Sequence, residues 1–284
     1  MQLSSIARTI TAACLMLSCH ALLADDAKPS ITIYATGGTI AGKAESNTAT
    51  TGYQAGTIGI QELLNAVPAI GDVATVTGEQ IANTAISADG SMNLLEAVTL
   101  ASSKNAEKRG AMVLLNDRIG SAFYTTKTNA ASLDTFKANE QGYLGAFYGG
   151  VPRFFYQPAA PEHKPFFDVS SKESLAKVDI LYGYQDQDSG LLNAAIEQGA
   201  KGIIIAGSGN GSTPTRIKED IKKAVAKGIP VVISTRTGNG YVTDKKKDGA
   251  IGSGFYNPQK ARILLSLALS NGGNIEKIRT YFEQ

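Results

Sequence analysis

The spacing of apolar residues changes along the chain, and each change marks an element. Ile31-Thr32-Ile33-Tyr34-Ala35 is a short β-rich run ending at Gly37-Gly38, the pattern of a strand entering a tight turn. Lys43 to Gly56 has no periodicity. Ser, Thr, Asn, Ala and Gly surround one aromatic, Tyr53, which predicts a mobile surface loop. Gln61 to Val67, before Pro68, predicts a short helix, and Val73 to Val76 a second strand. From Met92 to Ser103 the residues Leu94, Leu95 and Val98 fall on one helical face. Ala111 to Leu115 is almost continuously apolar, as expected of a strand buried on both faces.

Between Gly142 and Pro165 the texture changes. Pro152, Pro158, Pro161 and Pro165 alternate with Phe and Tyr, which predicts hairpin strands running into an extended linker and a domain boundary. A regular alternation follows. Strands are predicted at Val178–Tyr182, Gly202–Ala206 and Val231–Ser234, and helices at Leu191–Gln198 and Ile217–Lys227, the latter ended by Gly228. Asn257-Pro258 opens another helix, with Asn as N-cap and Pro in the first turn. Gly272-Gly273 ends it, and Asn274 caps a final one. Alternating strands and helices argue for a parallel sheet covered by helices.

Composition narrows the function classes. The 284 residues suffice for one large domain or two modest ones. A chain 43% hydrophobic and 18% charged forms a core, which excludes a disordered protein. A net charge of +2, no Trp and 7% aromatic residues argue against a nucleic-acid binder, which needs a basic face or stacking platforms. Arg8 is the only charged side chain before Asp25. The apolar Thr9–Ser18 stretch after it is too short to span a bilayer, and small residues follow, with Ala21 and Ala24 as cleavage positions. This is the pattern of a secretory signal peptide. Cleavage after Ala24 would remove Cys14, Cys19 and His20, leaving no thiol and only His163. Zinc chemistry, which needs several His or Cys ligands, is then not expected. Neither is a Ser-His-Asp triad, unless His163 serves it.

Three segments carry candidate chemistry. Thr36-Gly37-Gly38-Thr39-Ile40-Ala41-Gly42-Lys43 follows a strand, where α/β proteins place ligands. Gly37, Gly42 and Lys43 have P-loop spacing, but Ala44 stands where that motif needs Ser or Thr. The alternatives are a nucleophilic Thr exposed by neighbouring glycines, and a plain Gly-rich turn. Ala206 to Ser212 is a second Gly-rich loop after a strand. It reads either as an anion cradle of backbone N–H groups or as a wide turn that lets a neighbouring chain approach. In Thr125-Thr126-Lys127-Thr128-Asn129 the lysine is a solvated charge unless it is buried beside a nucleophile, where desolvation would make it a base. Lys245-Lys246-Lys247 reads as a solvated loop, and His163 as a hydrogen-bonding residue of the linker.

Several of these motifs together resemble bacterial type II (exported) L-asparaginases and the related glutaminase-asparaginases. The stretches are Ala35–Gly42, Asn65–Pro68, Gly78–Gln80, Ser87–Gly90, Thr126–Asn129, Phe167–Val169, Gly209–Gly211 and Asn257–Arg262, in family order. The resemblance implies an α/β fold with a larger N-terminal parallel or mixed sheet domain and a smaller C-terminal parallel α/β domain. It implies a signal peptide at 1–24, an N-terminal domain at 25–160, a linker at 161–177 and a C-terminal domain at 178–284. It also implies a periplasmic homotetramer that needs no cofactor or metal, has a small amino acid as substrate, and binds neither nucleic acid nor, after signal cleavage, membrane. The activity implied is hydrolysis of asparagine to aspartate and ammonia, with glutamine as a second substrate. Thr39 matches the family nucleophile, and Tyr53 the lid tyrosine that helps activate it. Lys127 matches the lysine of an inner Thr-Lys-Asp group, and Asn210 an asparagine lent to the neighbouring subunit. Where the family usually offers a partner acidic residue, the chain has Asp244, followed by three lysines.

One departure stands out. In the family a long segment between Gly78-Glu79-Gln80 and Ser87-Ala88-Asp89-Gly90 carries the turn for the substrate α-carboxylate and the Thr-Asp partners of the inner lysine. Here only Ile81 to Ile86 lies between them. About two βα units, at ~30 residues each, are missing. With them goes an interior strand of the sheet, which leaves an open edge or forces re-pairing. The expected consequence is absent or severely reduced activity. The rival expectations are a non-catalytic assembly partner of a full-length paralogue, or the unstable product of a decayed gene.

Overall fold

The computed structural model describes residues 28, 30–32, 67–73, 75–77, 90–130, 132, 134–158, 165–188 and 190–283. The expected signal peptide, the Thr36–Lys43 turn, the Lys43–Gly56 loop, the helix before Pro68 and His163 lie outside these residues, as does part of the 161–177 linker. The chain forms two compact units, residues 1–103 and 104–284.

In the first unit β1 (Ser30–Thr32) pairs in parallel with β2 (Thr75–Thr77), Ile31 opposite Val76. The expected Val73–Val76 strand is shifted, because Val73 closes a helical turn, α1 (Ile70–Val73). Helix α2 (Gly90–Ser102) lays Val98, Leu94 and Leu95 against Val67, Ile70, Val73 and Ile31, as the helical spacing predicts.

The second unit holds two larger sheets. The antiparallel one runs β3 (Met112–Leu115), β4 (Arg118–Ser121), β7 (Gly145–Tyr148), β8 (Val151–Phe154). Asn116 and Asp117 both adopt positive φ, the geometry of a two-residue hairpin turn, and Gly149-Gly150 does the same between β7 and β8. The expectation that Ala111–Leu115 is buried on both faces is not met. Among the described residues β3 is bonded only to β4, and all four of its residues are half-buried. An apolar run reports what a strand can bury, not what covers it. A two-stranded ladder, β5 (Thr126–Lys127) with β6 (Phe136–Lys137), follows β4.

The parallel sheet has the order β12 (Ile251–Gly252), β11 (Val231–Thr235), β10 (Gly202–Gly207), β9 (Val178–Tyr182). Helices cover both faces, as the alternating pattern predicts. Ile203 and Ile205 point to Leu192 of α3 (Gly190–Glu197) and to Ile217 and Ile221 of α4 (Thr215–Ala226). Ile204 points the other way, to Leu264 and Leu265 of α5 (Pro258–Ser270) and to Ile278 and Phe282 of α6 (Ile275–Phe282). A Cβ on Gly202 would lie 2.8 Å from Leu265 Cδ2, so glycine lets α5 sit close on β10. The caps form as read. Asn257 Oδ1 accepts from Lys260 N, and Asn274 Oδ1 from Lys277 N, each at 2.9 Å.

Candidate active site

The parallel sheet sends its strand ends into polar loops, where open α/β sheets place ligands. After β10 the chain reverses over Ser208–Ser212. Ser208 N–H donates to Ser212 C=O at 3.0 Å and Ser212 N–H to Ser208 C=O at 2.7 Å, while Gly211 N–H donates to Gly209 C=O at 2.8 Å. These bonds occupy the Ser208, Gly211 and Ser212 amides, which an anion cradle would need free. Gly211 has φ +70°, and a Cβ there would lie 2.4 Å from Ile233 Cγ2. The loop therefore packs tightly on β11.

Asn210 sits exposed at the tip of this loop. Its Oδ1 accepts from Thr243 N–H at 3.0 Å, and Lys245 Nζ approaches to 3.4 Å. Asp244 follows Thr243 in the chain, and its carboxylate turns toward Arg279. Its Oδ1 accepts from Arg279 Nη1 at 2.5 Å and from Gly252 N–H at 3.3 Å. Arg279 is nearly fully buried and also donates to the Ala250 and Gly249 carbonyls. A buried guanidinium demands a counter-charge, and Asp244 supplies it. Its carboxylate is thus engaged within the fold.

Lys127 lies on β5, exposed. The segment before it borders a cleft lined by Phe123, Tyr124, Thr126, Thr235, Thr237, Asn239, Phe255, Tyr256, Asn257 and Lys260. Phe123 meets Tyr256 edge to face at 4.9 Å between ring centres. Thr235 and Thr237 share a hydroxyl–hydroxyl bond of 2.8 Å. Lys260, in the first turn of α5, donates from Nζ to the Phe123 and Thr125 carbonyls, each at 2.7 Å. Burial pulls its pKa down to about 8. Sequence reasoning used Lys260 only as part of a helix start. Its partners are 137 and 135 residues away, beyond any local signal.

The structure therefore brings Asn210 and Asp244 to one end of the parallel sheet, both exposed, with the Asp244 carboxylate committed to Arg279. Thr39 and Tyr53 lie outside the described residues. Among the described residues no group of His, Cys, Asp and Glu is arranged to hold a metal ion.

Fold and loops define a two-unit α/β protein with polar groups at strand ends. The family pattern "Asparaginase, N-terminal" matches residues 30–85 and 75–160. "Glutaminase/Asparaginase C-terminal domain" matches residues 177–282. L-asparaginase 2 of Bacillus subtilis is 39% identical over 326 aligned positions, covering 90% of this chain and 86% of that protein. L-asparaginase 2 of Escherichia coli is 32% identical over 327, covering 91% and 94%. The solved structure of a probable cytoplasmic L-asparaginase from Campylobacter jejuni superposes with a TM-score of 0.82 at 36% identity, over 91% of this chain and 99% of that one. The chain belongs to the asparaginase family.

Proposed function

We propose that this protein hydrolyses the side-chain amide of L-asparagine, with L-glutamine as a second substrate, at a rate far below that of longer relatives. Thr39 is the nucleophile, Tyr53 its lid partner, and Lys127 the remaining member of an inner proton-relay group. Asn210 serves a neighbouring subunit in a tetramer of the exported, type II kind, and residues 1–24 direct the chain to the periplasm. The observation that carries this reading is the length of the alignments. They run over 326 and 327 positions, more than the 284 residues available, so the relatives hold positions this chain lacks. The shortened stretch near Ile81–Ile86 accounts for them. Half-burial of β3, an apolar run with a strand on one side only among the described residues, fits a reading in which an adjacent strand is lost.

Without the Thr-Asp partners Lys127 lacks the inner group it would belong to, and it lies exposed on β5. Thr39 then attacks with poor general-base support, and general acid–base assistance contributes about 10²–10⁴-fold to such reactions. The test is ammonia release from asparagine and glutamine by the purified, size-checked full chain beside its Thr39→Ala variant. A slow signal abolished by the substitution supports the reading. Brisk turnover defeats the impairment, and a signal that survives Thr39→Ala defeats the assigned nucleophile. Export is checked by fractionating cells and measuring the mature N-terminus, with residue 25 expected.

A second reading, a non-catalytic partner of a full-length paralogue, is favoured by the intact Asn210 loop, whose outward side chain is held by Thr243. Co-expression followed by size-exclusion chromatography separates the two. A shared tetramer with no hydrolysis by this chain alone selects the second.

A further inference from the structure

We propose that Lys260 is a positioning residue for Lys127: through its ammonium, the first turn of α5 fixes the segment that leads into β5. This rests on the reading of Lys127 as part of the hydrolytic site. The geometry is specific. Nζ reaches two carbonyls, of Phe123 and Thr125, at 2.7 Å each, so one cation bridges alternate residues of a three-residue turn. Charged donors make the stronger hydrogen bonds. The next residue, Thr126, is held by the same helix start, its Oγ1 3.3 Å from Asn257 Nδ2. Lys127 follows directly. On the far side of the turn, Tyr124 N–H and Thr125 N–H both donate to Ser121 C=O, at 3.1 and 2.8 Å. That anchors the turn to the end of β4.

Several features show that the rest of the structure leaves this task to Lys260. β5 has two residues and one ladder partner, β6, so its own pairing is weak. The Thr125 hydroxyl is buried without a hydrogen-bond partner and presses on Gly120, where a Cβ would meet it at 2.3 Å. It contributes packing and no directional bond. Among the described residues the other titratable groups lining the cleft are Tyr124 and Tyr256, with no carboxylate. The ammonium is therefore committed to the two carbonyls and not to an ion pair. α5 itself is anchored elsewhere, because Arg262 Nε donates to Val178 C=O at 2.8 Å and Ser266 Oγ to Ala176 C=O at 2.6 Å. One end of a well-anchored helix thus holds a weakly paired strand, through the Lys260 ammonium with Asn257 beside it.

The experiment is hydrogen exchange by mass spectrometry on the full chain, following the peptide that covers residues 122–129. The Thr125 and Thr128 amides, bonded to Ser121 C=O and Thr135 C=O, report on the turn and the strand. Lys260→Met is expected to speed exchange there about tenfold, the scale of losing one hydrogen bond to a charged group, with β9–β11 unchanged. Lys260→Arg, which keeps a charged donor, restores most of the protection. Lys260→Gln replaces the methionine variant if that one fails to fold, with the same loss expected. Unchanged protection in the variant lacking the cation overturns the proposal, as does loss spread evenly over the parallel sheet. Ammonia release is followed alongside. A lower kcat at unchanged KM in Lys260→Met, recovered in Lys260→Arg, supports the link to Lys127, and unchanged kcat overturns it. If the unsubstituted chain releases no ammonia while the exchange results hold, the functional reading falls and the role of Lys260 in fixing β5 stands.

Discussion

β10 and β3 carry comparable apolar runs, Gly-Ile-Ile-Ile-Ala-Gly and Met-Val-Leu-Leu, yet every residue of the first is buried and all four of the second are half-buried. β10 has a strand on each side and helices on both faces. Among the described residues β3 has β4 alone. The same chemistry is worth different amounts in the two places, because burial is a property of neighbours. A run that would serve at the centre of a sheet becomes, at an edge, an invitation to pair with another chain.

This contrast can be broken by substitution. Leu265→Ala, at a site with no solvent exposure, is expected to cost about 2–5 kcal/mol. Leu114→Ala in β3 is expected to cost about 1 kcal/mol, as half of a buried side chain's contribution. Urea denaturation measures both, and equal losses would dissolve the difference between the strands. Asp244→Asn comes next, at about 1–2 kcal/mol, because it leaves Arg279 buried beside a neutral group while the partly exposed site lets water in. A loss no larger than at an ordinary surface position would free Asp244 for another role. Asn257→Ala removes the cap of α5 and should lower stability by about 1 kcal/mol, read from the same unfolding curves.

A further effect of similar size is in pH. The Lys260 pKa falls from 10.5 to about 8 on folding, so between those values the unfolded chain binds the extra proton. Its contribution to stability therefore rises as the solution is made more basic across that window. The half-exposed site limits the gain to about 1 kcal/mol. Thermal melts at both ends of the window should show the gain in the unsubstituted protein and lack it in Lys260→Met.

Much of the parallel layer was legible, because its signals are local. Asn257-Pro258 and Asn274 cap helices at the positions read, and Gly228 and Gly272 end them with positive φ. β3 was legible as a strand but not as a half-buried one, since the residue pattern says nothing about its neighbours. The Asn116-Asp117 reversal was a usable hairpin signal that the apolar run obscured. Of the site, the Gly-rich turn of Thr39 and the segment of Lys127 were candidates by their residues, but their roles, and those of Tyr53 and Asn210, came only through family resemblance, since a threonine after a strand or a lysine among threonines is commonplace. The engagement of Asp244 depends on Arg279, 35 residues later, and the grip of Lys260 on a turn more than 130 residues earlier. Neither distance leaves a trace in local composition.

Helix α6 has a consequence for how the parallel layer closes. It delivers Ile278 and Phe282 to one face of the sheet, and Arg279 to the carbonyls beside β12. Until that helix docks, Ile204, Val232 and Ile251 stand open to water and to other chains, so its docking is the step that shields this face from sticking.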